Sequence, residues 1–203
     1  MTFNLRDKLA GVGKLDVFDD INQAVERYHQ QREKLMESSG DVLSDDELRL
    51  RSISYNTRGD LLKAQGNLPE AEKHYRKALE IAETLAARDP GNAGWQRDLS
   101  VSHDKLGDFM TATGNLPEAE KHYRKALEIR ETLAARDPGN ADWQRDLFVS
   151  YAKMAGFEEQ QDAEKARVWW RKAHEQLLGM KQHGILQPTD EKFIEFTKKK
   201  AGL

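Results

Sequence analysis

Two histidines, His74 and His122, stand 48 residues apart in the same setting, EKHYRKALEI. A metal site would need further ligands converging at bonding distance, which single histidines on successive copies of a helix do not supply. Cysteine is absent; this removes thiolate metal sites, a cysteine nucleophile and a disulfide framework. GVGK at Gly11–Lys14 lacks the glycine spacing of a phosphate-binding loop and the Ser or Thr that follows its lysine. The remaining residues assemble neither a Ser/His/Asp set nor a cleft with paired carboxylates. No catalytic residue, metal or cofactor is expected, and the chain reads as a non-enzyme.

Composition narrows the partners. The net charge is -3, so no nucleic-acid partner is expected. No stretch approaches the roughly 20 consecutive apolar residues that span a bilayer, so no membrane partner is expected either. MTFNLRDKLAGVGKLDVF shows no long apolar run after its charges, so no signal peptide is expected and a cytoplasmic location is the default. With 38% hydrophobic and 33% charged residues, the chain is polar for a compact globule and suits helices that each bury a single stripe.

Repetition organises the elements. GNLPEAEKHYRKALEI occupies residues 66–81 and again 114–129; ETLAARDPGNA and WQRDL also recur at 48-residue spacing. Periods of roughly 20–50 residues mark stacked supersecondary units. Each unit reads as two helices. The second of them is expected over Leu116–Arg136, with Asn115 and Glu118 as a capping box and Pro117 in the first turn. Its buried stripe is Ala119, Tyr123, Ala126, Leu127 and Leu133. DPGN ends this helix, its glycine permitting the reversing turn, and Asn140 caps the next. The first helix is expected over Ala93–Thr113, with Trp95, Leu99, His103, Leu106 and Met110 inward. Gly107, costly in mid-helix, implies close approach of the partner helix.

From Ser100 to Leu127 the pattern His103, Leu106, Gly107, Met110, Gly114, Asn115, Ala119, Tyr123, Ala126 resembles a tetratricopeptide repeat. Tyr55, Gly59, Leu62, Gly66, Asn67, Ala71, Tyr75 and Ala78 repeat it, with Arg58 in place of leucine. The usual unit is about 34 residues, so this one is similar to long-helix variants of bacterial multi-repeat proteins, with about two extra turns per helix. The resemblance implies an all-α fold, an α-α superhelix of antiparallel hairpins. The expected organisation is an N-terminal capping segment over 1–45, repeats over 46–92, 93–140 and 141–178, and a C-terminal capping helix within 179–203.

The copies decay towards both ends. In the third, Ala155 replaces the mid-helix glycine and Asp162 the turn glycine, while Ala166, Trp170 and Ala173 fill the core positions. Trp169 aligns with His122, expected to be a less buried position; it either packs under the C-terminal helix or stays exposed. That helix is expected from Thr189 or Asp190, ending in Lys198–Lys200 as a solvated terminus. Ile21, Ala24 and Tyr28 align with Leu68, Ala71 and Tyr75 as a degenerate second helix, SSGD at 38–41 stands in for DPGN, and a capping helix is placed near Leu5–Ala10.

Members of the family bind extended peptides or helices in a concave groove lined by first helices. The resemblance therefore implies a protein or peptide partner, with homo-oligomers through repeat ends or groove as the alternative. The implied groove residues are Arg49, Ile53, Asn56, Asp60 and Lys63, then Arg97, Val101, Asp104, Asp108 and Thr111, then Arg145, Val149, Ala152, Gly156 and Glu159. Arg49, Arg97 and Arg145 would align as a ladder able to grip carboxylates, or would each pair with a nearby acid such as Asp142. Asp60, Asp104 and Asp108 would form an acidic patch, either receiving a basic segment or simply solvated. The Lys and Asn pattern of the family's carboxylate clamp is missing, which argues against chaperone tails as partners. Trp95 and Trp143 read as packing at the loop-to-helix entry.

Overall fold

Helix ends follow the punctuation of the sequence. The structure, a computed structural model, describes residues 43–203 together with Asp20, Ala24, Val25, Arg27, Tyr28, Gln31 and Arg32. The expectations for Leu5–Ala10, Gly11–Lys14, Ile21 and Ser38–Asp41 fall outside these residues. Seven α-helices run through residues 43–203: α1 (Asp45–Ala64), α2 (Leu68–Arg88), α3 (Ala93–Ala112), α4 (Leu116–Arg136), α5 (Ala141–Glu158), α6 (Ala163–Gln182) and α7 (Lys192–Ala201). A 3-10 turn, Pro188–Asp190, precedes α7, so the last helix starts later than its sequence suggests. No strand occurs among the described residues, and none of their helices is long and apolar enough to cross a membrane.

Ser44 and Glu47 form a capping box at the start of α1. Asn92 and Asn140 accept the amides of Trp95 and Trp143, each at 3.1 Å. Asn115 does not cap α4: its side chain makes no cap hydrogen bond. Its backbone joins the two helices, the carbonyl accepting the Ala119 amide of α4 at 3.0 Å while the amide ends α3. The Asn115 amide reaches the Met110 carbonyl at 2.8 Å and the Gly114 amide reaches Thr111 at 3.2 Å, a Schellman motif. Gly114 sits at φ +81 and Gly66 at φ +80, where only glycine is unstrained. The DPGN turns work differently from expectation. Gly91 and Gly139 are not in the left-handed region; Asp89 and Asp137 turn the chain by accepting those glycine amides, each at 3.0 Å.

The chain divides into two compact units, Met1–Arg88 and Asp89–Leu203. In the first, α1 packs on α2, and Arg88 at the end of α2 pairs with Asp45 at the start of α1. Ala24 and Tyr28 are helical but exposed, whereas their sequence equivalents Ala71 and Tyr75 are buried. In the second unit the packing is sequential, α3 on α4, α4 on α5, α5 on α6 and α6 on α7. Phe148, Ala155, Trp170, Ala173, Leu177, Met180 and Ala201 form a core cluster there.

Two contacts set the spacing inside the first two hairpins, and the second of them recurs in the third. A Cβ on Gly107 would lie 2.6 Å from the Tyr123 ring, and one on Gly59 would lie 2.6 Å from the Tyr75 ring. The second contact pairs two ring positions, and it is buried in α3–α4. Tyr55 meets His74, His103 meets His122, and Tyr151 stacks on Trp169, with ring centroids 5.5, 5.3 and 6.1 Å apart. The His74 and His122 position is thus buried rather than open. Trp169 is partly buried, and its ring partner is Tyr151 of α5, with the Lys172 ammonium 4.5 Å over its ring.

The His103 and His122 Nδ1 atoms are 3.0 Å apart, so one carries the shared proton and the other accepts it. Burial, then the neighbouring His122 and Lys125, push His103 down to about 3. The unfolded chain therefore binds a proton that the fold excludes as pH falls below the ordinary histidine range, and stability declines with it. The melting temperature should fall from pH 6.5 toward pH 4 (~1.4 kcal/mol per pKa unit of depression), and His103→Tyr, the residue type of the other two copies, should flatten that fall. In urea titrations, Gly107→Ala should lose about 1–3 kcal/mol to overpacking. Gly156→Ala, whose Cβ meets nothing within 4 Å, should gain up to about 1 kcal/mol.

Candidate functional site

The face of interest in the second unit is carried by first helices α3 and α5. Their i, i+4, i+7 spacing puts Arg97, Val101, Asp104 and Asp108 on one side of α3. Adjacent repeats in the second unit are tied together along this side. Arg97 of α3 grips Asp146 of α5 through Nε and Nη2. Lys153 of α5 returns to Asp108 of α3, with Nζ 2.6 and 2.7 Å from its two carboxylate oxygens. Arg145 of α5 reaches Asp190 of the 3-10 turn at 2.7 Å. Each of the two arginines has its partner two elements further along the chain, while Lys153 reaches back by the same step.

A second set of bonds ties the face to the helices behind it. Tyr75 donates to Asp60 at 2.8 Å and Tyr123 to Asp108 at 2.9 Å. In the third hairpin Trp170 Nε1 donates to Glu159 at 2.8 Å, and Lys200 of α7 reaches the same carboxylate at 2.7 Å. The Lys200 bond, followed by Trp170, holds the Glu159 carboxyl below the usual carboxylate range. Burial, then Asp108, raises the Tyr123 phenol, so it stays a donor. Thr111 lies 3.2 Å from that phenol oxygen.

Asp104 is where placement departs most from expectation. It is 6% exposed and forms an ion pair with Arg130 of α4 at 2.7 Å. Burial pushes the Asp104 carboxyl up, and the Arg130 guanidinium opposes the shift. Arg130, 4% exposed, also bonds Ser100 of α3 at 3.1 Å and Ser150 of α5 at 2.8 Å. The acidic patch therefore reduces in this unit to Asp108, itself paired. Arg97 and Glu159 are exposed, while Val101, Arg145 and Val149 are partly buried. In the first unit Asn56 is buried and Ile53 exposed, with Arg49, Asp60 and Lys63 between these extremes.

Arg130 was not singled out by periodicity, yet the sequence marks it. It follows Tyr123 by seven residues, in phase with the buried stripe, and it is the only residue at which α4 differs from α2, where Ala82 stands. Among the described residues no group of histidine or acidic side chains is arranged to hold a metal ion.

The two kinds of pair should respond differently to truncation. Arg97→Ala, at an exposed rung, should cost at most about 1 kcal/mol in urea unfolding. Asp104→Ala should cost about 3–5 kcal/mol, because it leaves the Arg130 charge buried without its carboxylate.

Comparison with known proteins agrees with this architecture. Residues 50–112 and residues 104–138 each match a model described as tetratricopeptide repeat. No curated protein matches the chain in sequence. Among solved structures, the crystal structure of BtubC (BKLC) from P. vanneervenii is similar, with a TM-score of 0.58 and 19% identity over 95% of this chain and 74% of that one. At that identity the likeness speaks for the fold alone. Within residues 50–138, both the side-chain pattern and the family models identify tetratricopeptide repeats.

Proposed function

We propose that the chain is a non-enzymatic scaffold that binds a protein or peptide segment along the face that α3 and α5 form in its second unit. Tetratricopeptide repeats generally mediate protein–protein interaction, and the observation that carries the reading here is the preparation of this face. Arg97 and Arg145 are held by Asp146 and Asp190 through Nε and Nη2. An arginine has five N–H donors, so each keeps donors for a partner's carboxylate or carbonyl oxygens while its side chain is already ordered. Val101 and Val149 add apolar contact on the same side. Ordering these side chains before binding lowers the entropic cost of association.

Self-association is the second reading. It is favoured by Phe196 within α7 and Leu203 just past it, 47% and 56% exposed. Sedimentation across protein concentration separates the two, since a scaffold for another protein stays monomeric.

A photo-crosslinking residue placed at Val101 or Thr111, and separately at the exposed Lys121 and Glu128 of α4, tests the first reading in cells expressing the chain. The expected outcome is one protein captured from Val101 and Thr111 and not from α4. Capture of that protein from α4 alone would place the binding surface elsewhere and end the proposal.

A further inference from the structure

The two second helices pose a recognition problem. Residues 66–99 and 114–147 differ at two positions, Ala82/Arg130 and Gly94/Asp142. The turns at Gly66 and Gly114 are alike, as are both DPGN loops, and Tyr75 and Tyr123 approach their glycines at the same distance. The His74 and His122 rings accept either a tyrosine or a histidine opposite. What α4 itself brings to α3 would therefore be offered equally to α1 of a second copy, although α1 carries Arg58, Leu61 and Leu62 where α3 has Leu106, Phe109 and Met110. Tandem near-identical units are prone to this kind of exchange.

One buried contact separates the two second helices by charge. Asp142 is exposed, so the second difference sits at the surface. Arg130 is buried in a bond to Asp104. The residue on α1 equivalent to Asp104 is Asn56, also buried, and the residue on α2 equivalent to Arg130 is Ala82, 1% exposed. The two positions thus differ together: Asp with Arg in one hairpin, Asn with Ala in the other. Exchange would bury a guanidinium opposite Asn56, or leave the Asp104 carboxylate facing Ala82. An uncompensated buried charge is strongly disfavoured, so a wrong pairing is penalised without any change to the right one.

We propose that the Asp104–Arg130 pair is a pairing key that stops the near-identical α2 and α4 of two copies of this chain from docking on the wrong first helix, α4 on α1 or α2 on α3. Its contribution is to selectivity. A buried ion pair removed together with its partner often leaves stability unchanged or higher, so stability and selectivity are separable by experiment.

The test is refolding from urea over a wide range of protein concentration, followed by size-exclusion chromatography. Asp104→Asn/Arg130→Ala gives the second hairpin the residues of the first. Asn56→Asp/Ala82→Arg gives the first hairpin the residues of the second. Each variant should refold to helical monomer at low concentration. At high concentration each should yield several-fold more dimer than wild type, and that dimer should persist on dilution. Three results would overturn the proposal. One is a monomer yield equal to wild type at every concentration for a variant that folds. Another is dimer that dissociates on dilution, which marks surface association. The third is failure of both variants to fold, which would make the pair a requirement for stability.

Discussion

The hairpins depend on the absence of a methyl group. At Gly59 and Gly107 a tyrosine ring of the second helix lies where a Cβ would be, and this fixes how close the two helices come. Several other contacts follow from it. The tyrosine tip passes its glycine and reaches an aspartate on the first-helix face. The ring pairs Tyr55–His74 and His103–His122 close at the same spacing. In the third hairpin Ala155 occupies the glycine position and Trp170 replaces the tyrosine, donating to Glu159 from its indole nitrogen. An aromatic side chain with a polar tip thus joins core and surface in each hairpin, although its chemistry changes.

The charged residues of the face divide by depth. Arg97 and Lys153 pair at the surface, where exposed ion pairs contribute little to stability but keep long side chains in place, while Arg145 reaches the buried Asp190. Asp104 and Arg130 pair inside, where the cost of desolvation makes the partners mutually dependent. The same residue types at the same helical spacing thus have two roles, and burial by α5 decides between them.

Helix limits were legible because they rest on local chemistry. Asn92 and Asn140 as caps, Pro117 in a first turn and Gly66 and Gly114 after a helix each act within a few residues, and α4 matches its expected range. The core positions Ala166, Trp170 and Ala173 were legible because helical period carries over from copy to copy. Asp104 was not. Period places it beside Arg97 and Asp108, but its burial is imposed by another element and by Arg130, which single-helix spacing does not encode. Asn115 differs from expectation because it links two helices through its backbone alone, its amide ending α3 and its carbonyl opening α4, with no cap bond from its side chain. The ladder of Arg97 and Arg145 was visible as a spacing, while its acceptors lie one repeat away or, for Arg145, in a 3-10 turn that carries no repeat signature.

The direction of the rungs bears on how such a chain can lengthen. In Arg97–Asp146 the donor belongs to one copy and the acceptor to the next, and both come from the same phrase, WQRD. A duplicated segment of 48 residues therefore arrives with a donor for the copy after it and an acceptor for the copy before it, and the new junction needs no compensating substitution. Growth by copying leaves one debt, the last arginine, which has no following copy. Asp190, 2% exposed and outside the repeated phrase, meets it by accepting from Arg145. Copying the phrase thus carries its own junction contact, whereas the last arginine is closed by a residue from outside the phrase.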